Sequence, residues 1–185
     1  VNSDFEHLIF MNYDKKSKKH LKRLKKEKLI LLCFEPEDVL PENHDPAIHN
    51  LFGKVITCFD RFTGPQYHKF FYRPQDINAL SSQWEATIPA AYKPIPFNKR
   101  KLVTLINGCK RSKHKHPDEL YSQRINVINF FERLKTEDFE FYGIGWDSKK
   151  YATYRGSISF GKKGIVLGNY RFCFCFENIK NVPGY

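Results

Sequence analysis

Four short, largely apolar runs, each of strand length and separated by turn and helix signals, constrain this chain more than any other feature. KLILLCF (Lys28–Phe34) and KVITCF (Lys54–Phe59) bracket a stretch, Asp45 to Phe52, that reads as a short helix with Pro46 at its first position. Continuous apolar runs suit strands buried on both faces of a parallel sheet. KLVTLI (Lys101–Ile106) opens a second set. The spacing after it predicts a helix over 119–134, started by Pro117 and Asp118, with Ile125, Ile128, Phe131 and Leu134 along one face. A strand over 139–142, a short helix after Gly161 and a buried strand over 171–176 (RFCFCF) follow. Between the two sets, Pro65, Pro74, Pro89, Pro94 and Pro96 break residues 62–96 into irregular segments, and AYKPIPFNKRK reads as a linker. The expected fold class is α/β, with one domain over 1–97 and a second over 98–185.

Composition supports folded domains. The 185 residues are 41% hydrophobic and 16% aromatic, far from a disordered composition. No run approaches the roughly 18 apolar residues a membrane span needs. The net charge of +11 is local: nine of the fourteen residues from Lys15 to Lys28 are Lys or Arg, against one Glu. That block reads as a basic helix, either a solvated face or a surface for phosphate, anionic lipid or nucleic acid. Leu21 and Leu24 alone are too few for an amphipathic membrane anchor.

The five cysteines leave at least one unpaired, and Cys173 and Cys175 read as small hydrophobes within RFCFCF. No Cys-x-x-Cys pair and no glycosylation sequon occurs, which favours a reducing setting. His44 and His49 have no partners at metal-site spacing, and His114 and His116 lie in a polar loop, so no structural zinc is expected. In open α/β sheets ligands sit beyond the carboxyl ends of strands. That rule points to Glu35 after KLILLCF, Asn107 after KLVTLI, and Glu177 with Asn178 after RFCFCF.

The last third of the chain, YRGSISFGKKGIVLGNYRFCFCFENIKNVPGY, resembles the alpha-1,3-fucosyltransferases of glycosyltransferase family 10. Their signature runs Tyr-Lys-Phe, a short apolar strand, Phe-Glu-Asn, a loop and Gly-Tyr, matched here through Phe176, Glu177, Asn178, Gly184 and Tyr185. FEPEDVLPENHDPAIHNLFGKVITCFD is similar to the family's acceptor-domain segment. KLVTLINGCK with LYSQRINVINFFERL is similar to the opening of its donor domain. The resemblance implies a GT-B-like fold, two Rossmann-like domains facing a cleft, and transfer of L-fucose from GDP-fucose to a hydroxyl of an N-acetyllactosamine-like acceptor glycan, with inversion and without a bound metal. It makes Glu35 the general base, otherwise an ordinary Glu before a proline turn. It makes Arg124 the pyrophosphate clamp, otherwise a solvent-facing helical Arg. It places Glu177, Asn178 and Tyr185, and less directly Asn107 and Lys110, at the donor.

The family's Thr-Glu-Lys continuation would follow Tyr185. With Val1 in place of Met, this marks residues 1–185 as a fragment, expected to be inactive alone and to hold an incomplete C-terminal domain. Membrane contact, where there is any, is expected through a peripheral surface or an anchor outside these residues. A bacterial or viral enzyme would be cytoplasmic and a eukaryotic one lumenal in the Golgi. The rival readings are another GT-B enzyme with a different nucleotide sugar and a basic nucleic-acid-binding module; the latter leaves FENIKNVPGY unexplained.

Overall fold

Parallel pairing is the rule in both sheets of the computed structural model, which describes residues 5–21, 23–70, 93, 95–159 and 161–184. The chain divides into two units. The first gathers residues 1–73, 112–119 and 178–185, the second 74–111 and 120–177. The boundary expected at 97/98 falls inside the second unit, and the FENIKNVPGY segment is shared out between the two.

In the first unit, β1 (Leu8–Met11), β2 (Leu29–Cys33), β3 (Lys54–Thr57) and β4 (Tyr67–Lys69) form one sheet in chain order. Strand residues alternate between faces. Leu29, Leu31, Cys33 and Val55 therefore share one core with Leu21 of the short α1 (Lys18–Leu21), with Ile48 of α2 (Pro46–His49), and with Phe52. Asp45 caps α2, accepting the Ala47 amide at 2.8 Å, and Pro46 follows at the first helical position. KLILLCF thus forms a strand, but it is deeply buried on one face only; Ile30 and Leu32 on the other are half-buried.

The basic block does not form the single helix expected of it. A 3-10 turn at Lys15–Ser17, α1, and a second 3-10 turn at Lys26–Lys28 replace it. Like charges recur four residues apart at Lys15 and Lys19 and again at Lys19 and Arg23, where they repel. Among the block's described residues only Leu21 is buried and Leu24 packs partly against the core, too little apolar surface to hold a long helix there.

In the second unit, β6 (Phe139–Tyr142), β5 (Lys101–Ile106) and β7 (Tyr170–Phe174) form a sheet with β5 central. Val103, Leu105, Phe139 and Phe141 of one face pack under α3 (Tyr121–Leu134) through Ile128, Ile125 and Phe131, and the Phe131 and Phe139 rings stack at 4.3 Å. Leu134 does not join them and is 56% exposed. A three-residue step slips about 60° on a helix of 3.6 residues per turn, so three steps carry Leu134 about half a turn from Ile125. A short helix, α4 (Lys163–Leu167), precedes β7. RFCFCF is not the buried strand expected. Among the described residues β7 is an edge, and Phe172 is 59% exposed with Cys175 also exposed. Two strands escape the sequence reading: β4 (YHK) has no apolar run, and the apolar LIFM of β1 is only four residues long, with Ile9 and Met11 exposed. Residues 71–92 and 94, most of the region read as irregular and linker, lie outside the described residues.

The opposite face of this sheet carries a polar clasp. Glu140, between Phe139 and Phe141 on β6, is buried and accepts from Lys101 Nζ of β5 at 2.6 Å, from Arg155 Nε at 2.6 Å and from the Tyr170 hydroxyl of β7. Tyr142 in turn reaches the Tyr170 oxygen at 2.9 Å. Burial alone would push the Glu140 carboxyl up, but the bonds from Lys101, Tyr170 and Arg155 outweigh it and hold the group below its ordinary 4.5. A carboxyl depressed by folding adds stability that is complete above its unfolded value and lost as pH falls through the folded one. Glu140→Gln should therefore unfold more easily at neutral pH, by about 2 kcal/mol, and the gap to wild type should close below about pH 4.5. Urea unfolding at pH 7 and pH 3.5 checks this; an equal deficit at both would show that the charge is not the cause.

Candidate functional site

Parallel strands end on one edge, and in the second unit that edge carries the loops with the most chemistry. Asn107 to Lys110 leave β5, and Gly143 to Gly145 leave β6. The two loops are bound to each other: the Asn107 amide donates to the Tyr142 carbonyl at 2.9 Å and the Cys109 amide to the Ile144 carbonyl at 2.8 Å. Gly143 has φ +149°, and a Cβ there would lie 1.9 Å from the Asn107 carbonyl oxygen, so only glycine permits the approach. Trp146 Nε1 donates to the Asn107 carbonyl at 2.7 Å and the Tyr154 hydroxyl to the Gly143 carbonyl at 2.6 Å. Every one of these bonds engages backbone, so the loop positions are set independently of most side chains.

The result is a cavity of about 610 Å³, within the size range of small-molecule sites. Ile106, Ile144 and Ile158 supply apolar wall, Asn107 and Ser159 polar groups, and Lys110 and Lys163 the charge; none of its described lining residues is acidic. Such a lining suits an anionic ligand with a flat apolar part. The sequence reading named Asn107 and Lys110 here but missed Lys163, Ser159 and the Gly143-Ile144-Gly145 turn. Two glycines directly after an apolar strand were the available signal for the turn. Lys163 and Ser159 carry none, because only the fold brings them to the end of β5.

Arg124 is neither exposed nor pointed at solvent. It is 4% exposed, its guanidinium lies 4.5 Å from the Tyr121 ring centroid, and its Nη2 donates to the Phe176 carbonyl at 3.1 Å and the Glu177 carbonyl at 2.7 Å. It therefore shapes the loop that leaves β7, on which the Glu177 side chain is exposed. Asn178 belongs to the first unit and is half-buried. Tyr185 lies outside the described residues.

Glu35 follows the carboxyl end of β2 in the first unit and is half-buried. Its main chain is held on both sides. The Asn12 side-chain oxygen, itself bound by Asn43 Nδ2 at 2.6 Å, accepts from the Phe34 amide at 3.2 Å and lies 3.4 Å from the Glu35 amide. His44 Nε2 donates to the Glu35 carbonyl at 2.9 Å. A cavity of about 500 Å³ within this unit opens beside it, with Pro36, Glu37, His44 and Arg61 on its wall. His49 is fully buried, donating from Nε2 to the Asn43 carbonyl at 2.7 Å and accepting from the Tyr67 hydroxyl at 3.1 Å. Burial holds both imidazoles below their ordinary pKa. Among the described residues no group of three or more His, Cys, Asp or Glu could hold a metal ion, and no helix is long and apolar enough to cross a membrane.

Comparisons with protein-family models, with curated proteins and with solved structures found no match for this chain.

Replacing Arg124 by Leu removes the donor from the Phe176 and Glu177 carbonyls and the buried guanidinium from the Tyr121 ring. The expected cost is about 2 kcal/mol, with amide exchange quickening along the segment from Phe176 onward. Unchanged exchange there would mean that Arg124 does not hold this loop.

Proposed function

We propose that the chain belongs to an inverting glycosyltransferase that moves L-fucose from GDP-fucose to a hydroxyl of an acceptor glycan, N-acetyllactosamine-like, through an alpha-1,3 linkage. The observation that carries the reading is the cation-lined cavity at the carboxyl edge of β5 and β6, the edge at which parallel α/β sheets bind nucleotides. The order of motifs from Lys28 to Gly184 supports it, and a GT-B architecture is part of the same proposal.

In this reading the second unit holds the donor. Ile106, Ile144 and Ile158 offer apolar wall to the guanine, and Lys110 and Lys163 face the diphosphate. The acceptor oxygen attacks the fucose C1 on the face opposite the phosphate, and the bond from C1 to the phosphate oxygen breaks. Glu35 takes the proton from the acceptor hydroxyl, and GDP departs with an added negative charge that the lysines offset. Glu177 and Asn178 hydrogen-bond ribose and sugar hydroxyls. Arg124 enters in a different role from a clamp exposed to the diphosphate: its Nη2 donates to the Phe176 and Glu177 carbonyls in the loop after β7, so it presents Glu177.

Calorimetry with the full-length protein tests the donor assignment. GDP should bind more tightly than UDP, and Lys110→Ala with Lys163→Ala should weaken GDP by about tenfold for each charge removed. Glu35→Gln should lower fucosyl transfer by about 100-fold or more while GDP affinity stays within error. GDP binding no tighter than UDP would overturn the fucosyl donor in favour of another nucleotide sugar.

A further inference from the structure

His44 sits between Glu35 and Arg61 in a way that leaves its protonation state little freedom. It is 8% exposed, packed edge-on against the Phe59 ring at 4.6 Å. A carbonyl accepts only from a donor, so the 2.9 Å contact with the Glu35 carbonyl requires a proton on Nε2. A guanidinium donates and never accepts, so the 2.5 Å contact from Arg61 Nη2 requires a lone pair on Nδ1. The two contacts agree on one species, the neutral imidazole with its proton on Nε2. Arg61 is itself aimed by Glu37, whose carboxylate accepts from Nη1 at 3.0 Å.

We propose that His44 is a positioning residue for Glu35, locked by Arg61 as the Nε2–H tautomer so that it fixes the Glu35 main chain at the end of β2. The proposal rests on the reading of Glu35 as the base that takes the acceptor proton. It adds to it a relay from Glu37 through Arg61 and His44 that fixes the backbone from which that carboxylate springs.

The relay has a direct consequence for pH. A second proton on the ring would go to Nδ1, facing the Arg61 guanidinium at hydrogen-bond distance, and the pair would have to separate. Burial and the Arg61 charge disfavour that proton, while the Glu35 carbonyl and the Glu37 carboxylate favour it; burial dominates and the net shift is downward. His49 faces the ring as well, and Asp60, His116 and Asp118 line the same cavity. Because folding lowers the His44 pKa, the arrangement is intact above about pH 6.5, the ordinary value for histidine. It is lost as pH falls through the lower folded value.

Nitrogen-15 spectra of the full-length protein at pH 7.5 should show His44 with a protonated Nε2 and an unprotonated Nδ1. Arg61→Leu should raise the pH at which the ring titrates. In fucosyl-transfer assays, His44→Ala should lower kcat by about 100-fold, the effect of a displaced catalytic group, with KM for GDP-fucose unchanged. His44→Gln keeps an amide donor for the Glu35 carbonyl and an oxygen for Arg61, so it should recover most of kcat and lose the part of the acidic limb that His44 imposes. Thermal melts of both variants separate this from unfolding. A protonated Nδ1 at pH 7.5, or an unaltered kcat in folded His44→Ala, would overturn the positioning role. A wild-type protein that transfers no fucose overturns the reaction itself, and the role falls with it.

Discussion

Burying the Glu140 carboxylate is costly unless its donors stay in place, and those donors come from β5, β7 and the loop at Arg155. The penalty for losing them enforces a single register across the three-stranded sheet. On the other face the same strand offers Phe139 and Phe141 to α3. Non-directional apolar packing there would tolerate small slips, whereas the carboxylate does not. With the register set, β5 and β6 end at the same level and their loops meet within the close contact that Gly143 allows.

The first unit solves a similar problem with neutral groups. Asn43 and His49 are fully buried, and each is satisfied by hydrogen bonds: Asn43 by the Tyr13 amide and Asn12, His49 by Asn43 and Tyr67. Buried polar groups that find partners in only one arrangement specify that arrangement. Here the arrangement fixes the chain as it leaves β2, where Asn12, at φ +61°, turns its side chain toward Phe34 and Glu35. In each unit the structural network is contiguous with the loops of the candidate site, so changes that weaken the network are felt in those loops.

Much of this was legible beforehand. KLVTLI coincides with β5, and KLILLCF and KVITCF contain β2 and β3, because continuous apolar runs between turn signals have few other uses; FEFY, alternating around Glu140, coincides with β6. The basic block failed as a helix because charge repeats at helical spacing oppose the helix they seem to mark. Leu134 failed because a repeat of three drifts off a face with a period of 3.6. RFCFCF failed as a buried strand because a run says nothing about which strand becomes an edge.

The residue order by itself determined the α/β class, the parallel strands and the candidates at their carboxyl ends, since local sterics and hydrophobic periodicity act over a few residues at a time. Three things needed the tertiary structure: the burial of Arg124 against the Phe176 and Glu177 carbonyls, the meeting of Lys110 with Lys163, and the contact of His44 with Arg61. Each joins residues 17 to 53 positions apart. Contacts at such separations follow from how strands are ordered and registered, a property of the whole sheet that no local window of sequence contains.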